Sequence, residues 1–223
     1  MKLYIGNKNY SSWSLRAWLI MDKLNISFEE VKLQLFTDAF YNELEGISET
    51  RKVPALVDGK LHIWESLAIA EYISEVYCSG KGWPQDRFQR ARARAISQEM
   101  ATGFFALRSE APMNIRAKRK LEFSEAAQKD IARIEQIFTN QMQTFAGRGN
   151  WLFGSWSIAD AMYAPVLLRF KTYGVALSTT AQLYMEHALQ CPSLQKWIAA
   201  ALLETDILVE DEAGIEAEAN SNN

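Results

Sequence analysis

The sequence predicts an α/β N-terminal domain followed by an all-α C-terminal domain. Strand and helix patterns alternate over about the first 80 residues, and strand patterns stop after the segment CSGKGWPQD, which begins at Cys78. The chain has 223 residues, of which 48% are apolar and 23% are charged, as is typical of a soluble globular protein. A chain of this length can bury the core of one large domain or of two small ones.

The N-terminal elements follow the order β-α-β-α-β-β-α. Apolar residues recur every three to four positions in a helix and at every second position in a half-buried strand. An Asp-Gly pair between the last two strand patterns is a strong hairpin signal. The stretches that carry these patterns are KLYI, SLRAWLIMDKL, SFEEVKLQL, TDAFYNELEGISETR, VPALVDGKLHIWE and SLAIAEYISEVY.

This order limits the topology. The first two strands are joined through a helix and are expected to be parallel, whereas the last two form an antiparallel hairpin. The prediction is a mixed four-stranded sheet with helices packed on it, the order found in thioredoxin-like domains. We assign residues 1–78 to this domain, 79–84 to a linker, 85–209 to an all-helical domain and 210–223 to an acidic tail expected to be disordered.

Composition excludes several classes of function. The formal net charge of −3 argues against a nucleic-acid partner, because proteins that bind nucleic acid carry a basic footprint. No apolar run reaches the roughly 18 residues that a membrane span needs, and the N-terminus lacks an apolar segment of signal-peptide length. The sequence therefore predicts a cytoplasmic protein without a membrane or nucleic-acid partner.

The cysteines and histidines form no recognisable metal pattern. Cys78 and Cys191 belong to no C-x-x-C pair, and His62 and His187 stand at unrelated positions. We therefore expect no metal, and we interpret the cysteines as two partly buried free thiols.

Several basic residues lie close together in the sequence of the second domain and form a possible basic patch. In a net-acidic protein, such a patch is more typical of a solvated surface than of a nucleic-acid groove. Its members are Arg108, Arg116, Lys118, Arg119 and Lys120.

A proline stands at the start of the third predicted strand. Because proline cannot donate to a sheet, it belongs at the first residues of a strand or at an edge. The Val53–Pro54 bond is therefore either an ordinary strand start or a cis bond, which costs only about 0.5–1 kcal/mol before proline. A cis bond would turn the backbone groups of Val53 outward, where they could pair with an extended peptide.

Glu65 and Ser66 lie between the fourth predicted strand and its helix. Free N–H groups and the positive end of the helix dipole favour an anion at this position. The Ser66 hydroxyl could add a hydrogen bond to a carboxylate, and Glu65 could hold an ammonium group, so the pair suits a free α-amino acid. The alternative is a simple helix cap.

Three serines, Ser11, Ser12 and Ser14, precede the first apolar helix. They either open the helix or place a hydroxyl at the C-terminal end of the first strand, where parallel sheets bind ligands. A hydroxyl donor and the helix dipole would lower the pKa of a thiol there, which is about 8.5 when unperturbed, and so favour the thiolate. Because this turn has no C-x-x-C, such a thiol would have to arrive on a ligand.

Five motifs, in matching order and spacing, resemble the cytosolic glutathione transferase superfamily, and within it the serine-type, zeta-related bacterial members. The resemblance extends from Lys2 to about Leu203 and implies a homodimer. SSWSLR is similar to the zeta motif S-S-C-S-W-R, and the other motifs are RKVPALVDG, HIWESLAIAEYI, GSWSIADA and LLRFKTYGV.

The resemblance implies a glutathione site. Ser11 would stabilise the glutathione thiolate, and Ser12 would lie beside it as a second donor. Val53, before Pro54, would pair its backbone with the cysteinyl part of glutathione. The remaining implied contacts are those of Glu65 and Ser66 with the γ-glutamyl ammonium and carboxylate, and of Lys52 with the peptide carboxylates.

The second substrate is expected to bind between the domains. Arg169 matches the arginine that, in zeta members, is thought to face a carboxylate of the second substrate. Tyr10, Phe104 and Phe105 are candidates for the pocket wall, and a role in the core is an equal alternative for them. Trp13 stands where the zeta motif has the cysteine associated with maleylacetoacetate isomerase activity, so an isomerase of that type is not expected.

The sequence therefore favours a detoxifying glutathione S-transferase in which a serine-stabilised thiolate attacks a small apolar electrophile. A glutathione-dependent disulfide or peroxide reductase, or a zeta-type isomerase, would use the same site. A third hypothesis is a non-catalytic binding or scaffold protein on the same fold, although a scaffold has no need of the clamp formed by Glu65 and Ser66.

Overall fold

The N-terminal part of the chain forms a four-stranded sheet with helices packed against it. The computed structural model describes residues 1–217. In chain order, the elements of this part are β1 (Lys2–Ile5), α1 (Ser12–Lys23), β2 (Glu29–Lys32), α2 (Asp38–Glu43), β3 (Ala55–Asp58), β4 (Leu61–Trp64) and α3 (Ser66–Cys78).

The sheet has the predicted mixed topology. Its strand order is β2-β1-β3-β4, with β1 parallel to β2 and antiparallel to β3. β3 and β4 form the antiparallel hairpin expected from the Asp-Gly pair, and Gly59 has a φ of 60°, a backbone conformation that glycine adopts without steric cost. The order β-α-β-α-β-β-α and the thioredoxin-like fold are therefore confirmed.

The second part of the chain is predominantly helical. Within residues 1–217, no helix combines the length and the hydropathy needed to cross a membrane. The elements are α4 (Arg87–Thr102), α5 (Phe105–Glu110), β5 (Arg119–Lys120), α6 (Glu125–Thr144), α7 (Ile158–Tyr173), α8 (Thr179–Leu189), α9 (Pro192–Leu202), a 3-10 turn (Val209–Asp211) and β6 (Ile215–Glu216).

One hydrophobic core joins the two parts. α1 packs against α7 and α9, and residues of both parts, among them Leu15, Phe138 and Trp197, lie almost fully buried in the same cluster. α7 is buried along nearly its whole length. Ser157, the residue before α7, forms a capping box with Asp160. The first turn of α1 is therefore held between the sheet and the helices.

The C-terminal segment corrects one expectation. Residues 210–217 were expected to be disordered, but Val209–Asp211 forms a 3-10 turn, and β6 pairs antiparallel with β5. This pairing adds a short two-stranded ribbon to a domain whose predicted helical class is confirmed. The predicted tail continues to residue 223, and residues 218–223 lie outside the described residues.

The physical reason for this ordered segment is the neutralisation of its acidic side chains. The Glu212 carboxylate accepts hydrogen bonds from the Tyr10 hydroxyl at 2.6 Å and the Asn114 amide at 2.8 Å, and it pairs with the Arg119 guanidinium. A run of acidic residues predicts disorder only when it lacks such partners. Its partners here are distant in sequence, and composition alone does not reveal them.

Candidate active site

A cavity of about 220 Å³ opens where the sheet meets the first helices of the second part. It brings together five residues that the sequence predicts as ligand contacts, from the start of β3 and the junction of β4 with α3. The lining residues are Trp13, Thr50, Lys52, Val53, Pro54, Trp64, Glu65, Ser66 and Arg108.

The peptide bond between Val53 and Pro54 is cis. Val53 precedes β3, whose pairing with its neighbours begins at Ala55. The backbone N–H and C=O of Val53 thus lie at the cavity, beyond the end of the sheet pairing. They have the position needed to pair with an extended peptide.

The N-terminus of α3 faces the same cavity. Glu65 is the residue before the helix, and its side chain makes no capping hydrogen bond. Its φ of 67° is uncommon for a residue with a side chain. Because no side chain caps the helix, the first N–H groups, including that of the buried Ser66, are available to an anion. The simple helix cap, which was the alternative interpretation, is absent from this site.

The two candidate serines make different hydrogen bonds. Ser11 and Ser12 are both buried. The Ser11 hydroxyl donates to the Ser14 hydroxyl oxygen at 2.7 Å, and that oxygen also accepts from the Gly6 N–H at 3.0 Å. Because a hydroxyl has one proton, the donor capacity of Ser11 is used within the protein.

The Ser12 hydroxyl accepts a hydrogen bond within the protein, whereas the Ser11 hydroxyl donates one. The Ser12 oxygen accepts a hydrogen bond from the Arg169 guanidinium at 3.3 Å, and within residues 1–217 the Ser12 proton has no acceptor. Trp13, the next residue, lines the cavity, whereas neither Ser11 nor Ser12 is among its lining residues. A hydroxyl whose oxygen accepts from a cation is a strengthened donor, so Ser12 is the better placed of the two to bind an anionic sulfur.

Three arginines surround the first turn of α1. Arg16 and Arg169 are buried, and Arg108 lines the cavity. The Arg16 and Arg108 guanidinium carbons lie 4.3 and 4.9 Å from the centre of the Trp13 ring. Within residues 1–217, none of the three arginines forms an ion pair with a carboxylate closer than 4 Å.

Burial and mutual repulsion disfavour the charged forms of the two buried arginines, Arg16 and Arg169. Burial, and then the proximity of Arg169 and Arg108, lowers the pKa of Arg16 well below its usual value. Burial, followed by repulsion from Arg108, lowers the pKa of Arg169 to about 10. The Nη1 atom of Arg169 is buried and has no hydrogen-bond partner in the described part of the chain. Buried charges are normally paired, so this cluster is suited to an incoming anion.

The predicted aromatic wall is not part of this cavity. Tyr10 contacts the C-terminal segment instead, donating to Glu212 and accepting from Arg116 at 3.0 Å. Burial and the hydrogen bond to Glu212 raise the pKa of the Tyr10 hydroxyl. Phe104 is buried in the core, and Phe105 is exposed. The burial of Tyr10 and Phe104 agrees with their alternative role in the core, and a role of the three residues in binding the second substrate stays a prediction.

Sequence reasoning missed Arg16 and Arg108. Arg108 was expected in a solvated basic patch, yet it stacks on Trp13 and donates to the Gly103 carbonyl at 3.1 Å. Arg16 lies four residues after Ser12, on the same face of α1, and donates to its carbonyl at 3.1 Å. Two signals were available in the sequence: this spacing, because residues four apart in a helix are neighbours, and the place of Arg16 as the last residue of the motif SSWSLR.

No cysteine lines this cavity in the described part of the chain. Cys78 ends α3, and Cys191 is buried before α9. Burial raises the pKa of the Cys78 thiol, which leaves it in its less reactive form. A thiol reaction in the cavity therefore depends on a thiol carried by a ligand.

Comparisons with known sequences agree with this fold. Residues 10–76 match the family model described as the glutathione S-transferase N-terminal domain. The chain is 28% identical over 178 residues to a probable maleylacetoacetate isomerase of Caenorhabditis elegans. It is 29% identical over 181 residues to the maleylacetoacetate isomerase of Rattus norvegicus. Each alignment covers 79% of this chain and 81% of the relative.

Comparisons with solved structures point the same way. A glutathione transferase homologue from Burkholderia gl BGR1, solved with bound glutathione, is 26% identical with a TM-score of 0.69 over 90% of this chain and 97% of that one. The fold is also that of a bacterial maleyl pyruvate isomerase described as zeta class, with a TM-score of 0.70 and 20% identity over 92% of this chain and 100% of that one. The family-model match, the relatives and the shared fold together support a zeta-like member of the cytosolic glutathione S-transferase superfamily.

Proposed function

We propose that this protein is a glutathione S-transferase that binds glutathione in the cavity and uses its thiol as a nucleophile. The observation that carries the proposal is the convergence of Val53, Glu65 and Ser66 on one cavity, which Trp13, the residue after Ser12, also lines. Glutathione is an extended peptide with an amino-acid end and a thiol, and this set of groups matches each of those parts. The bound glutathione of the Burkholderia homologue supports the assignment.

Each group of the cavity has a proposed contact. Val53 pairs its N–H and C=O with the cysteinyl unit, as an added strand would. Glu65 holds the γ-glutamyl ammonium, while the Ser66 hydroxyl and the free N–H groups of α3 bind the adjacent carboxylate. Lys52 lies at the same wall and supports the glycyl carboxylate. These contacts fix the position of the sulfur.

The chemical step is an attack by the glutathione thiolate. The thiol loses its proton to solvent, and the thiolate accepts a hydrogen bond from Ser12. The positive charge of Arg16 and Arg169 favours the anion further, because burial leaves these cations poorly screened. The sulfur then bonds to the electrophilic carbon, and the leaving group departs with the electron pair of its broken bond. Peroxide or disulfide reduction would start from the same thiolate.

Calorimetry with glutathione tests the site. We expect saturable binding that Glu65→Gln weakens about tenfold, because a charge-assisted hydrogen bond contributes about 1.5–3 kcal/mol. Glu75→Gln is the matched control, since Glu75 lies on the same helix but is exposed and away from this cavity. Equal binding by both variants, or no binding by the native protein at millimolar glutathione, contradicts the proposal.

A second candidate is a glutathione-dependent transferase or isomerase of an unsaturated or activated carboxylic acid. The observation that favours it is the unpaired arginine cluster, in particular Arg108 at the cavity wall and the free Nη1 of Arg169. A carboxylate on the second substrate would supply the missing counter-charge. The acidic second substrate of this candidate differs from the apolar electrophile that the sequence predicts. Trp13 stands in place of the zeta cysteine in either case.

Paired substrates distinguish the two candidates. We expect 4-chloro-3,5-dinitrobenzoate to be conjugated about tenfold more efficiently than its methyl ester, after each rate is divided by the uncatalysed rate. Arg108→Gln should remove this preference and leave the ester rate nearly unchanged, so the ester serves as the control for folding. If the ester is preferred by the native protein, the acidic substrate class is wrong.

The homodimer and the cytoplasmic location stay predictions.

A further inference from the structure

Residues 7–10, in the loop that joins β1 to α1, lie directly before the two candidate serines. All four residues are buried. Within this loop, the Asn7 carbonyl accepts from the N–H groups of Tyr10 and Ser11 at 3.2 and 2.8 Å. Because an unpaired polar group is costly in the interior, the two N–H groups in the middle of the loop need partners from other parts of the chain.

The carboxylate of Glu204 is the partner of both N–H groups. One of its oxygens accepts from the Lys8 N–H and the other from the Asn9 N–H, each at 2.9 Å. The Lys32 ammonium lies 3.1 Å from the oxygen that accepts from Lys8. The Glu204 side chain is only 5% exposed, so water has little access to replace it. A carboxylate suits this place because both of its oxygens only accept, and its charge strengthens each bond.

The segment that begins with Glu204 holds the rest of the same loop. We call residues 204–212 the C-terminal strap. Asp206 accepts from the side-chain amide of Asn7 at 2.8 Å, and Glu212 accepts from the Tyr10 hydroxyl at 2.6 Å. Every residue of the loop thus has a hydrogen bond to the strap, which lies 195 to 202 positions further along the chain.

We propose that Glu204 is a positioning residue of the transferase, which fixes the loop before α1 and thereby directs the Ser12 hydroxyl toward the sulfur of glutathione. The inference rests on the proposed function, because it concerns the same thiolate. Only three peptide bonds separate Asn9 from Ser12, so a displaced loop displaces the donor. A misplacement of about 1 Å is enough to lower the rate of an enzyme strongly.

A positioning role and a purely structural role have different consequences. If Glu204 only stabilises the fold, its loss reduces the amount of folded protein, and the folded molecules ionise bound glutathione as before. If Glu204 positions Ser12, its loss changes the ionisation of bound glutathione in molecules that are folded. The affinity for glutathione should stay the same, because the proposed clamp of Val53, Glu65 and Ser66 lies on other elements.

The ultraviolet absorption of the thiolate, followed against pH with bound glutathione, tests the proposal on the full chain. We expect Glu204→Gln to raise the apparent pKa of the bound thiol by about 0.5 to 1, because a weakened donor disfavours the ionised form. The glutamine amide places an N–H donor where the loop needs an acceptor. The variant should lower kcat/KM for a dinitrohalobenzene about threefold to tenfold at neutral pH and change glutathione affinity less than about twofold.

Three further variants separate the possible causes of such a shift. Glu210→Gln is the matched control, since Glu210 is an exposed residue of the same strap, and it should leave the thiol pKa in place. Asp206→Ala, at a half-buried position, should raise the thiol pKa less than Glu204→Gln, and it serves as the test if that variant does not fold. In the Ser12→Ala background, Glu204→Gln should cause no further shift, because effects through one hydroxyl are not additive.

The outcomes distinguish this inference from the proposed function. It is overturned if the folded strap variant leaves the thiol pKa unchanged, if Glu210→Gln shifts that pKa equally, or if the shifts of Glu204→Gln and Ser12→Ala add. Any of these results in a native protein that binds and ionises glutathione contradicts the role of Glu204 alone. A native protein that does not bind glutathione contradicts the proposed function, and the role of Glu204 falls with it.

Discussion

Ser12→Ala is expected to lower kcat/KM for glutathione conjugation of a dinitrohalobenzene by about tenfold to a hundredfold. The loss corresponds to one hydrogen bond to a charged group, about 1.5–3 kcal/mol. The Ser12 hydroxyl accepts from Arg169, and within residues 1–217 its proton has no acceptor, so we propose it as the donor for the thiolate. The pH–rate profile of the variant should move to higher pH, because the thiol loses a group that stabilises its ionised form.

Ser11→Ala is the matched comparison for this effect. The Ser11 hydroxyl already donates to Ser14, so its removal should lower kcat/KM less than about threefold and leave the pH–rate profile in place. A larger loss in Ser11→Ala than in Ser12→Ala would instead assign the sulfur to Ser11, as the resemblance to zeta members implies. If neither variant changes the rate, the serine mechanism is wrong.

The parts of the molecule that the sequence predicts well depend on short-range signals. The Asp58–Gly59 turn fixes the hairpin, and the hairpin places Pro54, just before β3, and Glu65, just after β4, at the same open end of the two paired strands. Because Ala55 is paired directly with Trp64, Val53 and Glu65 must lie close together. Local patterns therefore suffice to predict that the residues of the proposed glutathione clamp lie together, before the rest of the chain is placed.

The features that were missed depend on contacts between distant segments. Ser12 and Arg169 are 157 positions apart, and only the packing of α1 on α7 reveals which serine accepts the hydrogen bond. Arg108 reaches Trp13 because the chain turns between α4 and α5. Glu212 lies in a stretch whose composition indicates disorder, and its 202-position separation from Tyr10 hides the partner that orders it.

Asp160→Ala is expected to lower the free energy of unfolding by about 3–5 kcal/mol, the cost of leaving several buried donors unpaired. The Asp160 carboxylate accepts from the N–H groups of Leu152 and Ser157 at 3.1 and 2.8 Å, from the Ser157 hydroxyl at 3.2 Å, and from the Tyr184 hydroxyl at 3.1 Å. Burial raises its pKa to about 6, although the four donors oppose that shift. The group is ionised at pH 7.5, where urea unfolding should be measured.

Asp86→Ala provides the control that separates burial from capping. Asp86 also begins a helix, α4, and accepts from the N–H groups of Phe88 and Gln89 at 3.0 and 2.9 Å, but it does so at an exposed site. Water can replace the lost acceptor there, so the cost should be about 1 kcal/mol. Equal losses in the two variants would mean that Asp160 acts only as a helix cap. A threefold or larger difference would identify the buried carboxylate, through its hydrogen bonds to Leu152 and Tyr184, as the group that fixes the start of α7 within the helical part.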